Sequence, residues 1–131
     1  MKFGKSALFL ALFATSVNAE ELRVYNWSDY IDEALLEKFE AETGIELTYD
    51  VFDSNELLET KMLAGSSGYD VVVPSGTFLQ RQIAAGAFQP LDKEQLSNTG
   101  NLWDVVSSRT AQYDPDNTYS CLLYTSPSPR D

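Results

Sequence analysis

Asp70-Val71-Val72-Val73 constrains the architecture of this chain more than any other stretch. A short, unbroken β-branched run with no polar alternation fits a strand buried on both faces, as in a parallel sheet covered by helices. Pro74 ends it, because proline has no N–H for a ladder. Parallel strands need crossovers, and the preceding residues supply them. Leu22–Asn26 reads as a first strand. Ile31, Leu35, Leu36 and Phe39 then recur at helical spacing, and Gly44 closes a helix over Ile31–Thr43. Ile45–Phe52 alternates, with Ile45, Leu47, Tyr49 and Val51 on one face. Asp53-Ser54-Asn55-Glu56 resembles a capping box opening a helix over Ser54–Ala64. The order predicts an α/β fold: a parallel-rich sheet flanked by helices, with strands one and three as neighbours.

The rest is less regular. Ser75-Gly76-Thr77 leads into a helix carrying Phe78, Leu79 and Ile83, and Asp92 caps a short helix reaching Leu96. Leu102–Ala111 is weakly amphipathic, and Asp114-Pro115-Asp116-Asn117 is a turn before a further expected strand. No internal repeat is visible.

Both ends read differently from the middle. Met1-Lys2-Phe3-Gly4-Lys5, the apolar run Ala7–Ala14 and the small residues of Val17-Asn18-Ala19 form the pattern of a cleavable export signal over residues 1–19. The mature chain is then expected to begin at Glu20, in the periplasm of a bacterium. No Cys follows the cleavage point to carry a lipid anchor. Residues 121–131 (Cys121 to Asp131) end in a Ser/Pro tract with no periodicity and resemble the in-frame translation of a sequencing-library adaptor. They are expected to be foreign to the gene, leaving 20–120 as the N-terminal part of a larger first lobe.

Composition excludes several chemistries. The chain carries 20 Asp and Glu against 9 Lys and Arg, a formal charge of −11, so nucleic acid is not an expected partner. There is no His and only one Cys, which removes the usual general base, an intrachain disulfide and a Cys/His zinc site. Ser75 lies in Pro-Ser-Gly-Thr rather than a nucleophile elbow. Asp114, Asp116 and Asn117 lack the spacing of a calcium loop. The expectation is no catalytic residue, no metal and no cofactor. A carboxylate-dependent exported hydrolase is the alternative from another functional class.

Two loops remain that could bind something. Trp27-Ser28-Asp29-Tyr30 and Ser75-Gly76-Thr77 both follow strands, and ligands in open α/β sheets sit beyond the carboxyl ends of strands. An aromatic face beside a carboxylate suits an organic cation. The other reading makes Trp27 a core residue and Asp29 and Ser75 helix N-caps. From these residues alone both readings stand, while Asn26 is expected to hydrogen-bond its own loop.

The runs Tyr25–Ile31, Phe39–Ile45, Tyr49–Glu56, Tyr69–Ser75, Phe88–Lys93 and Asp114–Asn117, in order and at matching spacing, resemble the periplasmic polyamine-binding proteins of ABC importers. The likeness covers Leu22 to Ser120. It is nearest to the putrescine-preferring branch, since Ser28-Asp29 stands where spermidine-preferring members commonly have Thr-Glu. The resemblance implies a type II-like periplasmic binding protein, a monomer that closes two lobes on putrescine or spermidine and delivers it to a membrane permease. It also implies roles. Trp27 and Tyr30 would flank the alkyl chain, Asp29 would meet an ammonium, Ser28 and Ser75 would add polar contacts, and Thr77 would be a weaker contributor. Another organic cation or a peptide is the alternative ligand within binding proteins. The family's remaining ligand residues lie in later parts of the fold than this chain contains.

Overall fold

The computed structural model describes residues 20–65 and 67–121. The expected export signal, and the expected foreign tail from Leu122 onward, lie outside the described residues. The fold is α/β, built on a three-stranded parallel sheet of order β2-β1-β3. Its strands are β1 (Glu21–Trp27), β2 (Glu46–Phe52) and β3 (Val71–Val72). Helix α1 (Glu33–Thr43) crosses from β1 to β2, and α2 (Asn55–Leu63) leads from β2 to β3. Further on come α3 (Gly76–Ala84) and α4 (Asp104–Thr110).

Local chemistry accounts for the boundaries. Asp32, in extended backbone, accepts from the Ala34 N–H and starts α1, while Gly44 at φ 72 ends it by donating to the Glu40 carbonyl. Only glycine adopts that left-handed conformation without penalty. Ser54 accepts from Leu57 N–H to start α2. Leu57 occupies the position a capping box gives to Glu, so the reciprocal half of the box does not form. The two helix starts therefore correct the sequence reading: Asp29 is not a cap, and the box is a single cap.

The register decides where the core lies. Glu21 pairs with Glu46 and Trp27 with Phe52, so β1 and β2 end level; Tyr25 pairs with Val72 of β3. Tyr25, Phe52 and Leu58 are the buried apolar centre, with Trp27, Met62, Tyr69 and Val72 packed around them. The alternating face of β2 was expected to be the apolar one, yet its Val51 is 53% exposed while Phe52, on the opposite face, is 2% exposed. Phe52 wins because its parity places it beside Trp27 and against α2. The expected double burial of β3 is also corrected. Val71 is 45% exposed, because β3 is two residues long and forms an edge of the described sheet.

The later segments fold as short pieces. Asp92 caps one turn of 3-10 helix, Lys93–Gln95. The Asp114 turn is a 3-10 turn, Pro115–Asn117, with Asp116 at φ 62 and Asn117 at φ 47. Among the described residues no strand follows it. Instead, Asp114 is buried, and one of its oxygens takes the Tyr119 and Ser120 amides, each at 2.8 Å, and the Ser120 hydroxyl at 2.7 Å. A carboxylate with three donors stops the chain from extending there.

One polar chain links β2, α2 and Tyr69, two residues before β3. Tyr25 and Tyr69 stack with centroids 4.6 Å apart, and Lys61 Nζ lies 4.6 Å from one ring and 4.7 Å from the other. Lys61 donates to the Tyr69 hydroxyl at 2.8 Å, and that hydroxyl donates to Asp50 at 2.6 Å. The Asp50 carboxylate raises the Tyr69 phenol above its ordinary 10.0, chiefly by accepting a hydrogen bond from its protonated form. The folded state thus holds this proton more tightly than the unfolded state does. Its stabilising contribution is complete below pH 10.0 and is lost as pH rises through the folded value. In a tyrosinate absorbance titration, the component missing from Tyr69→Phe should ionise above 10.0. A missing component at or below that value would show that the Asp50 bond does not form.

Candidate functional site

The carboxyl ends of all three strands are tied into one rim. Trp27 closes β1 and packs its ring on Phe52 at 4.5 Å and 55°. Its indole N–H donates to the Val73 carbonyl at 2.9 Å, joining the β1 end to the β3 end. With that donor used, Trp27 has only its ring to offer a ligand. Asn26 is buried and behaves as expected of a loop-holding residue: its Oδ1 accepts the Trp27 amide at 2.8 Å. Its Nδ2 also donates to the Tyr49 hydroxyl at 2.8 Å, on the opposite face of the sheet from Trp27.

The β1 loop continues through Ser28, Asp29 and Tyr30. Asp29 has φ 60, a left-handed conformation that Asp and Asn tolerate better than most residues. This turn brings Tyr30 back toward Trp27, with ring centroids 6.2 Å apart and planes inclined by 33°. Tyr30 is 48% exposed, so its ring is available to solvent. Among the described residues, the ion pairs are Arg23–Glu21, Lys38–Glu42 and Arg81–Glu59, and none neutralises Asp29.

Ser75 opens α3 from extended backbone, but its side chain makes no cap hydrogen bond. It is held instead by Asn55, the first residue of α2. The Ser75 amide donates to Asn55 Oδ1 and Asn55 Nδ2 donates to Ser75 Oγ, both at 2.9 Å. Ser28 Oγ donates to Asp53 Oδ1 at 3.0 Å. The N-cap reading of Asp29 is therefore replaced, and Ser75 caps by position alone.

Trp27, Tyr30 and Ser75 line one broad, open groove of about 1090 Å³. Ser28, Asp29 and Thr77 do not line its walls; Ser28 and Asp29 lie between Trp27 and Tyr30 in the chain, and Thr77 is exposed on the first turn of α3. Tyr113, which the sequence reading missed, also lines the groove. Its ring lies so near Gly76 that a Cβ there would stand 2.6 Å from it, which explains the glycine. Asp53 and Asn55 were read only as part of a helix start, although polar residues immediately after a strand were the signal available for them. Among the described residues, no group of three or more His, Cys, Asp or Glu could hold a metal ion, and no helix is long and apolar enough to cross a membrane.

Residues 26–125 match the bacterial extracellular solute-binding protein family. The chain is 53% identical over 115 residues to the putrescine-binding periplasmic protein PotF of Escherichia coli, covering 84% of this chain and 31% of that protein. It is 50% identical over 125 residues to the putrescine-binding periplasmic protein SpuD of Pseudomonas aeruginosa, covering 91% and 34%. Among solved structures, the spermidine/putrescine ABC transporter substrate-binding protein PotD of Streptococcus pneumoniae superposes with a TM-score of 0.72 at 35% identity, covering 79% of this chain and 31% of that one. The chain thus spans about a third of the length of the relatives it matches. It belongs to the bacterial extracellular solute-binding protein family.

Proposed function

We propose that this chain supplies one wall of a periplasmic receptor that binds putrescine or spermidine and delivers it to the permease of an ABC importer. One observation carries the reading. The rim sets two aromatic faces 6.2 Å apart around a turn bearing Asp29, and none of the described ion pairs occupies that carboxylate. A methylene chain ending in ammonium groups matches both halves of that surface, packing on the rings and pairing with the charge. The names of the 53% and 50% identical relatives, both putrescine-binding periplasmic proteins, support the same ligand class. The receptor works as a monomer by binding rather than turnover, and its acidic charge of −11 keeps it from nucleic acid.

Trp27 and Tyr30 flank the alkyl chain, Asp29 takes an ammonium, and Ser28 and Ser75 add polar contacts. Thr77, exposed on the first turn of α3, is the weakest contributor. The test uses a hybrid in which Glu20–Ser120 replaces the matching part of the E. coli relative and the rest of that protein completes the fold. Calorimetric titration should show saturable binding of putrescine or spermidine and none of a neutral oligopeptide. Trp27→Ala should weaken the amine by roughly 0.5–2 kcal/mol through lost cation–π attraction, with further loss from methylene packing. A hybrid that folds and binds neither amine would overturn the proposal.

A further inference from the structure

The loop between β2 and α2 lines no part of the groove, yet it reaches both serines of the proposed site. Asp53 accepts from the Ser28 hydroxyl at 3.0 Å, and Asn55, two residues on, accepts from the Ser75 amide and donates to the Ser75 hydroxyl, both at 2.9 Å. We infer that Asp53 and Asn55 are positioning residues that fix the direction in which Ser28 and Ser75 present their hydroxyl groups to a bound amine. The inference rests on the polyamine reading above and adds to it which residues prepare the site.

The hydrogen-bond chemistry gives each contact a sense. An ionised carboxylate can only accept, so the Ser28 proton must point at Asp53. Ser28 is then left with its lone pairs facing outward, the form an ammonium donor requires. Without Asp53 the hydroxyl rotates freely, and part of its population offers a proton to a cation. At Ser75 the assignment runs the other way. The Ser75 amide can only donate, so the Asn55 atom facing it is the carbonyl oxygen, and the amide nitrogen faces Ser75 Oγ. Ser75 Oγ therefore accepts from Asn55 through one lone pair, which holds the side chain in place and leaves the second lone pair to accept from an ammonium group.

Backbone order strengthens the arrangement. Asp53 and Asn55 flank Ser54, whose hydroxyl accepts from Leu57 N–H and so anchors the loop to the first turn of α2. The three side chains point to three tasks: one to the β1 loop, one to the helix and one to the β3 loop. A capping role would need only Ser54. The flanking pair is explained by what it holds.

Double-mutant cycles in the hybrid, read as putrescine affinity by calorimetry, test this. Asp53→Ala should weaken binding several-fold, on the order of 5- to 10-fold for loss of one orienting hydrogen bond. The same change in a Ser28→Ala background should weaken it by less than about 2-fold, since the residue it positions is gone. Asp53→Asn keeps an acceptor oxygen and should recover most of the affinity. Asn55→Ala should show the same dependence on Ser75, with a smaller loss in Ser75→Ala. A general structural role would instead lower the melting temperature and reduce affinity equally in both backgrounds, and that result would overturn the inference. So would unchanged affinity in both Asp53→Ala and Asn55→Ala when Asp29→Asn weakens binding in the same hybrid. A folded, unsubstituted hybrid that fails to bind putrescine removes the polyamine reading itself, and this inference with it.

Discussion

Phe52→Ala is expected to destabilise the fold by about 3–5 kcal/mol, the range for emptying a buried aromatic site. Phe52 is 2% exposed, with its ring 4.9 Å from Tyr25 and 4.5 Å from Trp27. It also shares the core with Leu58, which is fully buried. Tyr25 and Trp27 sit on β1, which the register holds beside β2, and Leu58 sits on α2, so these neighbours cannot collapse far into the space. Phe52→Leu retains most of the apolar volume and should lose much less. Denaturant melts of the hybrid compare the two. A loss below about 1 kcal/mol for alanine would mean that Phe52 is not the keystone of this core. The site should respond as well, because Phe52 backs the Trp27 ring; Phe52→Ala should weaken amine binding even where the protein remains folded.

Asp29→Asn is expected to weaken putrescine binding by about 1.5–3 kcal/mol, roughly ten- to a hundredfold, by deleting one charge-assisted hydrogen bond. The melting temperature of the free protein should hardly change. Asn adopts the left-handed backbone seen at Asp29, φ 60, about as readily as Asp. The cap of α1 belongs to Asp32, so no helix start is lost. That separation of binding from stability is the signature of a ligand contact. Equal affinity in the two proteins would remove this carboxylate from the site.

Much of the fold was legible because its signals are local. Gly44 ends α1 as a left-handed cap, and the strand and helix order follows from apolar spacing that needs no tertiary information. What the sequence misled on depends on partners. The alternation through Val51 is real, but the choice between its two faces rests on where α2 lands, and α2 lands on Phe52. The valines of β3 look like a central strand, yet burial depends on neighbours that the composition of four residues cannot specify. Asp114 read as a turn residue and is a buried acceptor holding the chain at Ser120.

The site divides in the same way. Trp27, Tyr30 and Ser75 stand out as candidates because aromatic and hydroxyl side chains just beyond strands are visible in sequence, and the parallel register brings those strand ends together. Asp53 and Asn55 were hidden by Ser54. A helix cap explained the whole segment locally, so their long-range bonds to Ser28 and Ser75 had no signature of their own. Tyr113 was hidden for another reason: its place in the groove comes from contact with Gly76 across 37 positions of chain, and no periodicity reports that.

In the proposed receptor an amine sits on this rim with its charge at Asp29. A crystal structure of the hybrid with putrescine tests it directly. An ammonium nitrogen should lie within hydrogen-bond distance of an Asp29 oxygen, roughly 2.7–2.9 Å for such a charged pair, with the methylenes lying against Trp27 and Tyr30. Putrescine bound elsewhere, or seated in the groove with neither ammonium near Asp29, would contradict it.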